Sequence, residues 1–113
     1  VVPFFYRTER TIVVDYKTKI DYSDEKANKV AISESALSRT TLWCLKPGQH
    51  IHPHVHAGDH IWIVLEGEGR LLGVAGEPEL SPGITAPLPS GEPHGVINSG
   101  SVGLVFLSIS AGA

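Results

Sequence analysis

The sequence holds a single cysteine, Cys44, with no second thiol to pair with it. An intrachain disulfide is therefore excluded, and a reducing, cytoplasmic setting is the expectation. Cys44 lies inside Thr41-Leu-Trp-Cys-Leu45, a run with buried character, so it is expected to be a packed thiol rather than a nucleophile. No apolar stretch approaches the ~20 residues of a membrane-spanning helix. Basic residues are not in excess: nine Lys and Arg stand against twelve Asp and Glu, a formal charge of −3. That balance argues against nucleic acid or an anionic membrane as the partner. No 3.6-residue apolar period persists long enough for a core helix. The first residue is Val1 rather than methionine, so a segment upstream of it is expected.

The 113 residues present are expected to form one domain. Twelve glycines and eight prolines punctuate the chain, most of them from Lys46 onward. Between them lie short β-rich runs at Thr41–Leu45, Ile61–Leu65, Arg70–Val74 and Val102–Ile109, with Glu66-Gly-Glu-Gly69 as a tight turn. Thr11–Tyr16 and Lys29–Ser33 are expected as earlier strands, and Asp21–Asn28 as a turn or one helical turn. Pro87, Pro89 and Pro93 forbid a helix after Gly83 and disfavour a central strand over part of that stretch. Many short strands with turns between them predict an all-β sandwich or barrel. Charge is uneven along the chain: six acids and one base from His50 onward, eight bases and six acids before it.

All six histidines fall in two places, five between His50 and His60 and the sixth at His94. Imidazole is the commonest metal ligand because its neutral nitrogen binds borderline metals without adding charge. In an extended strand residues two apart share a face, so His54 and His56 can aim at one point. Ala57-Gly58 suits a turn that brings the next strand alongside, with His60, Trp62 and Val64 on its inward face. Three ligands from one hairpin and a fourth, His94, from across a barrel form a credible metal site. His50 and His52 read as a polar entrance or surface strand; His52 would be a candidate general base only if it pointed inward, and Pro53 breaks that phase. Asp59 is expected to point outward at a turn, and Glu66, Glu68 and Glu92 to be solvated at turns. Trp43 and Trp62 are expected in the core, Trp62 also as a pocket wall. Tyr6, Tyr16, Tyr22 and Arg39 are candidates to reach the barrel mouth. Gly48, Gly67, Gly83 and Gly91 are expected to supply turns with positive φ, and Asn98 to hold a turn through side-chain to backbone bonds.

Two spacings then match a known family. Gly48, five residues, His54, one, His56, three, His60, six, Gly67 resembles the first motif of the cupins. Gly83, five residues, Pro89, one, Gly91, two, His94, three, Asn98 resembles their second motif. The resemblance implies an all-β double-stranded β-helix, a jelly-roll barrel over residues 41–110 preceded by N-terminal strands in 1–40. It also implies a homodimer, with the N-terminal strand available to the interface. The family's usual ligand set is three histidines and a glutamate, and here His60 stands at the glutamate position. The resemblance therefore implies a four-histidine variant, His54, His56, His60 and His94, around one divalent transition metal: zinc, nickel, manganese or iron. Without an anionic ligand the ion keeps its full +2, which favours acidification of a bound water or hydroxyl. Sites of this family resemble open centres rather than closed structural ones.

The functional expectation is a small-molecule enzyme that activates a diketone, enol or hydroxy-carbonyl substrate through the metal, by isomerase, cyclase, lyase or dioxygenase chemistry. The alternative is a non-catalytic, metal-dependent binding or sensor module. A third option is a metal that only staples the barrel. The fold itself does not choose among them.

Overall fold

The computed structural model describes residues 11–112. A short 3-10 turn at Tyr16–Thr18 is followed by nine strands: β1 Asn28–Glu34, β2 Ser38–Leu45, β3 His50–Val55, β4 Asp59–Glu66, β5 Gly69–Leu72, β6 Glu79–Leu80, β7 Thr85–Leu88, β8 Pro93–Ile97 and β9 Leu104–Ala111. All pairings are antiparallel. One sheet runs β1-β2-β9-β4-β7 and the other β3-β8-β5-β6. The two pack face to face as the double-stranded β-helix that the motifs imply.

Alternation decides which residues fill the space between the sheets. Leu45, Trp62, Val64, Leu88, Leu104 and Phe106 from the first sheet meet Leu71, Leu80 and Val96 from the second. Phe106 stands at the centre, its ring 4.9 Å from that of Trp62 and 6.4 Å from that of Trp43. A second apolar cluster forms on the outer face of the first sheet. Leu42, Cys44 and Val105 pack there under Tyr16, Ile20 and Tyr22 of the N-terminal segment. Over Leu42–Leu45 and Leu104–Leu107 the two strands are thus apolar on both faces, which is why these stretches read as unbroken hydrophobic runs rather than alternating ones. Cys44 is fully buried in this outer cluster, and burial pushes its thiol pKa up. It is a packing residue.

Several expectations are corrected. Thr11–Tyr16 is not a strand; the segment is irregular and closes in the 3-10 turn, where the Asp15 carboxylate accepts from the Lys17 amide. That turn lies ahead of Asp21–Asn28, which holds only bends before β1. Tyr16 and Tyr22 do not reach the barrel mouth: both pack on the outer face, where the Tyr16 hydroxyl donates to Glu66 at 2.9 Å. Tyr6 lies outside the described residues. The prolines are accommodated without breaking the sheets. Pro87 sits on β7, an edge strand, and Pro93 is the first residue of β8.

Asn98 is 1% exposed and uses its whole amide to tie three segments together. Its Nδ2 donates to the carbonyls of Leu45 and Val102, both at 2.9 Å, and its Oδ1 accepts from the Gly100 amide at 2.9 Å. The end of β2 and the β8–β9 connection are held by this one side chain. Asn98→Ala leaves three backbone groups without partners, each worth about 1–3 kcal/mol when buried. A loss of at least ~2 kcal/mol in urea unfolding is expected. Asn98→Asp is expected to be comparably damaging, because a carboxylate cannot donate to Leu45 and Val102; wild-type stability in that variant would refute the donor role.

Candidate metal centre

The histidines converge by a route that differs from a simple hairpin. β3 and β4 do not pair with each other: β3 joins β8 in one sheet, and β4 joins β9 and β7 in the other. The 56–58 connection is a corner between sheets. His54 and His94 are direct cross-strand partners on β3 and β8. His94 is therefore the neighbour of His54, and His60, on β4, is the residue that arrives from the facing sheet. His56 sits in the corner between them.

A β-bulge sets the orientation of His54. Ile51 pairs with Val96 and packs inward, yet His54, three residues later, pairs with His94. A regular strand would turn the third residue outward. The register shift between Ile51 and His54 inserts one extra residue and re-aims the side chain, a recurrent use of bulges beside functional sites. Gly95 lies opposite the bulge. A Cβ there would stand 2.6 Å from the Pro53 nitrogen and 2.8 Å from the His52 carbonyl carbon, closer than such atoms approach. Only glycine lets β8 pass this closely. The bulge also leaves His50 and His52 exposed, with Nε2 atoms 3.2 Å apart and one donating to the other. The polar surface reading of that pair holds, and His52 is not among the residues lining the cavity.

Ligand nitrogens of His56, His60 and His94 all lie within 4.8 Å of one another. The His54 ring lies 4.2 Å from that of His56 and 6.0 Å from that of His94, centroid to centroid. His94 is 1% exposed and packs edge-on against Trp62 at 5.2 Å. Two of the four tautomers follow from backbone partners. A carbonyl only accepts, so the Nδ1–H of His94 donates to Glu92 O at 3.2 Å and the Nδ1–H of His54 donates to His52 O at 2.8 Å. Each then carries a lone pair on Nε2. The Nε2 of His94 is buried and has no hydrogen-bond partner. For His94 this is a locked tautomer with a free buried nitrogen, the arrangement that metal-ligating imidazoles use. With His56 and His60 it fits a bound metal ion, while His54 lies outside the group of mutually close nitrogens.

Burial and mutual repulsion favour the neutral form of His56, His60 and His94. Burial, then repulsion from His60, His54 and His94, lowers the His56 pKa from 6.5 to about 4. His60 is lowered by burial, by His94 and His54 and by Arg39, against a smaller opposing effect of Asp59. His94 is lowered chiefly by burial. Neutral imidazole is the ligating form.

The rim is tied from both sides. The Ser90 amide donates to the Asp59 carboxylate at 3.0 Å, the Ser90 hydroxyl to Ala57 O at 3.1 Å, and the Gly91 amide to His56 O at 3.0 Å. Asp59 points outward as expected, but it clamps the corner bearing His56 to the loop leading to His94. Sequence reading assigned it no such role, because its partner lies 31 residues away.

His54, His56 and His60 open onto a cavity of about 240 Å³, whose other walls include Trp43, Trp62, Thr41, Ser108, Lys29 and Arg39. Trp62 is the expected pocket wall, and Arg39 does reach the mouth. Lys29, Thr41, Ser108 and Ser110 were not foreseen, although alternation along β2 and β9 puts residues 39, 41 and 43 and residues 106, 108 and 110 on one face. The Trp62 Nε1–H donates to Ser108 Oγ at 3.0 Å, which leaves the Ser108 proton free to donate. Among the described residues no helix is long and apolar enough to cross a membrane.

Comparison with known proteins agrees with this geometry. The cupin domain profile Cupin_2 matches residues 41–110. A Thermus thermophilus protein of known structure is 35% identical, with a TM-score of 0.83 over 88% of this chain and 95% of its own. A Klebsiella pneumoniae protein with a double-stranded β-helix domain is 28% identical, with a TM-score of 0.84 over 90% of each chain. A sugar phosphate isomerase of the cupin superfamily from Silicibacter pomeroyi is 27% identical, with a TM-score of 0.64 over 69% of this chain and 52% of that one. No curated protein matches significantly. With the profile spanning more than half of its length and His94 of the second motif gathered with His56 and His60 of the first, this chain belongs to the cupin domain family.

Proposed function

We propose that this chain is a metal-binding cupin whose His54, His56, His60 and His94 hold one divalent transition-metal ion, zinc, nickel, manganese or iron, beside the cavity. The observation that carries the reading is the buried, partnerless Nε2 of His94, with nitrogens of His56 and His60 gathered around it. A buried polar atom left unpaired costs about 1–3 kcal/mol. One cation accepts all the lone pairs at once. Bound there, the ion supplies a Lewis acid that polarises a ligand oxygen and lowers the pKa of a bound water or hydroxyl.

The surrounding residues define what the site accepts. Trp43, Trp62 and Ile51 form an apolar wall, while Thr41, Ser108 and Ser110 offer hydroxyls. That mixture suits an oxygen-rich small molecule, a diketone, enol or hydroxy-carbonyl compound, and isomerisation, cyclisation or lyase chemistry, with dioxygen cleavage added if the ion is iron. The Silicibacter pomeroyi relative, named as a sugar phosphate isomerase, supports the hydroxy-carbonyl member of this set. One observation favours the second reading, a non-catalytic binding or sensor module. Among the described residues that line the cavity there is no carboxyl, phenol or thiol, so proton transfer beyond the imidazoles would fall to Lys29.

Elemental analysis of protein purified without an affinity column tests the assignment. About one equivalent of metal is expected, removable by chelator. His94→Ala and His56→Ala are expected to lose it. His54→Ala separates a four-ligand from a three-ligand site: loss of most metal supports four, and unchanged content reduces the set to His56, His60 and His94. Gly95→Ala, which touches no ligand atom, is expected to weaken metal binding about 10–100-fold by displacing the bulge that aims His54, the range typical of supporting residues.

The pH dependence follows from the lowered histidine pKa values. Their folded values lie below the unfolded value near 6.5. The unfolded chain therefore binds protons that the folded chain refuses as pH falls through that window. Metal-free protein is expected to lose stability from about pH 6.5 downward, with the loss extending to about 4, where His56 titrates. Depressed pKa values also weaken proton competition for the metal, so stoichiometric binding is expected to persist at about pH 6 and to fail towards 4. A melting temperature flat from pH 7 to 4 would refute the buried neutral cluster.

A further inference from the structure

The cavity wall facing the imidazoles carries two positively charged side chains. Lys29 and Arg39 line it, and among the described residues lining it none is Asp or Glu. The two cations stand on adjacent strands. Lys29 pairs with Trp43, while Arg39 pairs with Ser110, so together they bracket Thr41 on the inner face. Arg39 meets Glu34 only through Nε, at 3.7 Å, and both side chains are more than half exposed. Such a pair holds its members weakly and leaves the terminal guanidinium nitrogens for another acceptor. Lys29 makes no ion pair among the described residues. Thr41 stands between their two rows on β2, and Ser108 and Ser110 stand beside it on β9, three hydroxyls suited to ligand oxygens.

Charge balance then bears on the ligand. An all-imidazole site leaves a divalent ion uncompensated by the protein, and two cationic side chains line the same cavity of about 240 Å³ with aromatic walls. Like charges in a partly desolvated space repel more strongly than in water. A neutral ligand leaves that excess in place, and an anionic one removes it. We propose that the cavity takes a small anionic chelator, which presents two oxygens to the histidine side and a carboxylate or phosphate to Lys29 and Arg39. The proposal rests on the metal-site reading above and adds the chemical class of the ligand. The volume, below the roughly 300–1,000 Å³ of sites for drug-sized molecules, restricts it to a compact molecule.

Two matched ligand pairs test it by calorimetry on zinc-loaded protein whose zinc content has first been measured. Acetylacetone is compared with 2,4-dioxopentanoate, and dihydroxyacetone with its phosphate. Within each pair the chelating oxygens are shared and an anionic group is added. In at least one pair the anionic member is expected to bind about tenfold or more tightly, as charge-assisted hydrogen bonds provide. In the Lys29→Gln, Arg39→Gln double variant the ratio is expected to fall to within about twofold, at unchanged zinc content. A preference in the first pair assigns a carboxylate, and in the second a phosphate. Equal affinities within both pairs at full zinc occupancy overturn the proposal while the metal site stands, as does a preference that survives the double variant. Protein that takes up no zinc or other divalent ion overturns the metal-site reading and this inference with it.

Discussion

The architecture of this site depends on keeping several imidazoles close together and uncharged. Ring centroids of His54, His56, His60 and His94 lie 4.1 to 6.0 Å from their neighbours. A proton on His56 is penalised first by burial and then by the rings of His60, His54 and His94, which is why His56 falls to about 4. A neutral cluster, in turn, is a cluster of lone pairs. Carbonyl partners take the Nδ1 protons of His54 and His94 and fix Nε2 as the acceptor on each. Lone pairs aimed at one another are unfavourable without a donor or a cation between them. The fold thus gathers imidazole lone pairs in the way the proposed metal site requires.

Because the clustered histidines come from both sheets, the site and the core are one mechanical unit. His54 and His94 are cross-strand neighbours in the smaller sheet, and His60 belongs to the larger one. The spacing between the sheets is set by Trp62 and Phe106 against Leu71 and Val96. Trp62 serves both roles: it fills the core, supports the His94 ring edge-on and anchors its own indole to Ser108. A shift of the two sheets by a fraction of an ångström would change the distance from His60 to His94 without touching either residue. The Asp59–Ser90 and His56–Gly91 hydrogen bonds limit that shift at the rim.

Local chemistry was legible in the sequence, and pairing was not. The two histidine motifs, the inward set His60, Trp62 and Val64, the role of Asn98 and the burial of Cys44 all follow from alternation, side-chain inventory and spacing. The partner of each strand does not. Alternation states which residues share a face and is silent on which strand lies alongside, so β3 and β4 read as a hairpin although they sit in different sheets. The same limit hid the supporting residues. Gly95 has meaning only beside the β3 bulge, and Lys29 only beside Trp43. The outward placement of His50 and His52 was expected because loop histidines are usually solvated, and Pro53 further weakened an inward His52. The apolar run Thr41–Leu45 concealed a second core, because a strand buried on both faces has no alternating pattern to reveal that an N-terminal segment covers one of them.

That second core explains how a small barrel can leave one inner lane polar. The larger sheet buries apolar residues on its outer face as well, through Leu42, Cys44, Val105 and the tyrosines above them. Stability drawn from the outside relieves the inner face near the mouth from being wholly apolar, so β2 and β9 carry Thr41, Ser108 and Ser110 there. The result is a division of labour along one sheet. Towards Phe106 the strands hold the core, and towards the mouth they present hydroxyls and cations to a ligand. The histidine cluster and the polar lane then occupy different walls of one cavity, so that the proposed metal centre and the proposed ligand contacts can vary by substitution without dismantling each other. A barrel that hosts many unrelated reactions needs that separation, and in this chain the pleat of two strands provides it.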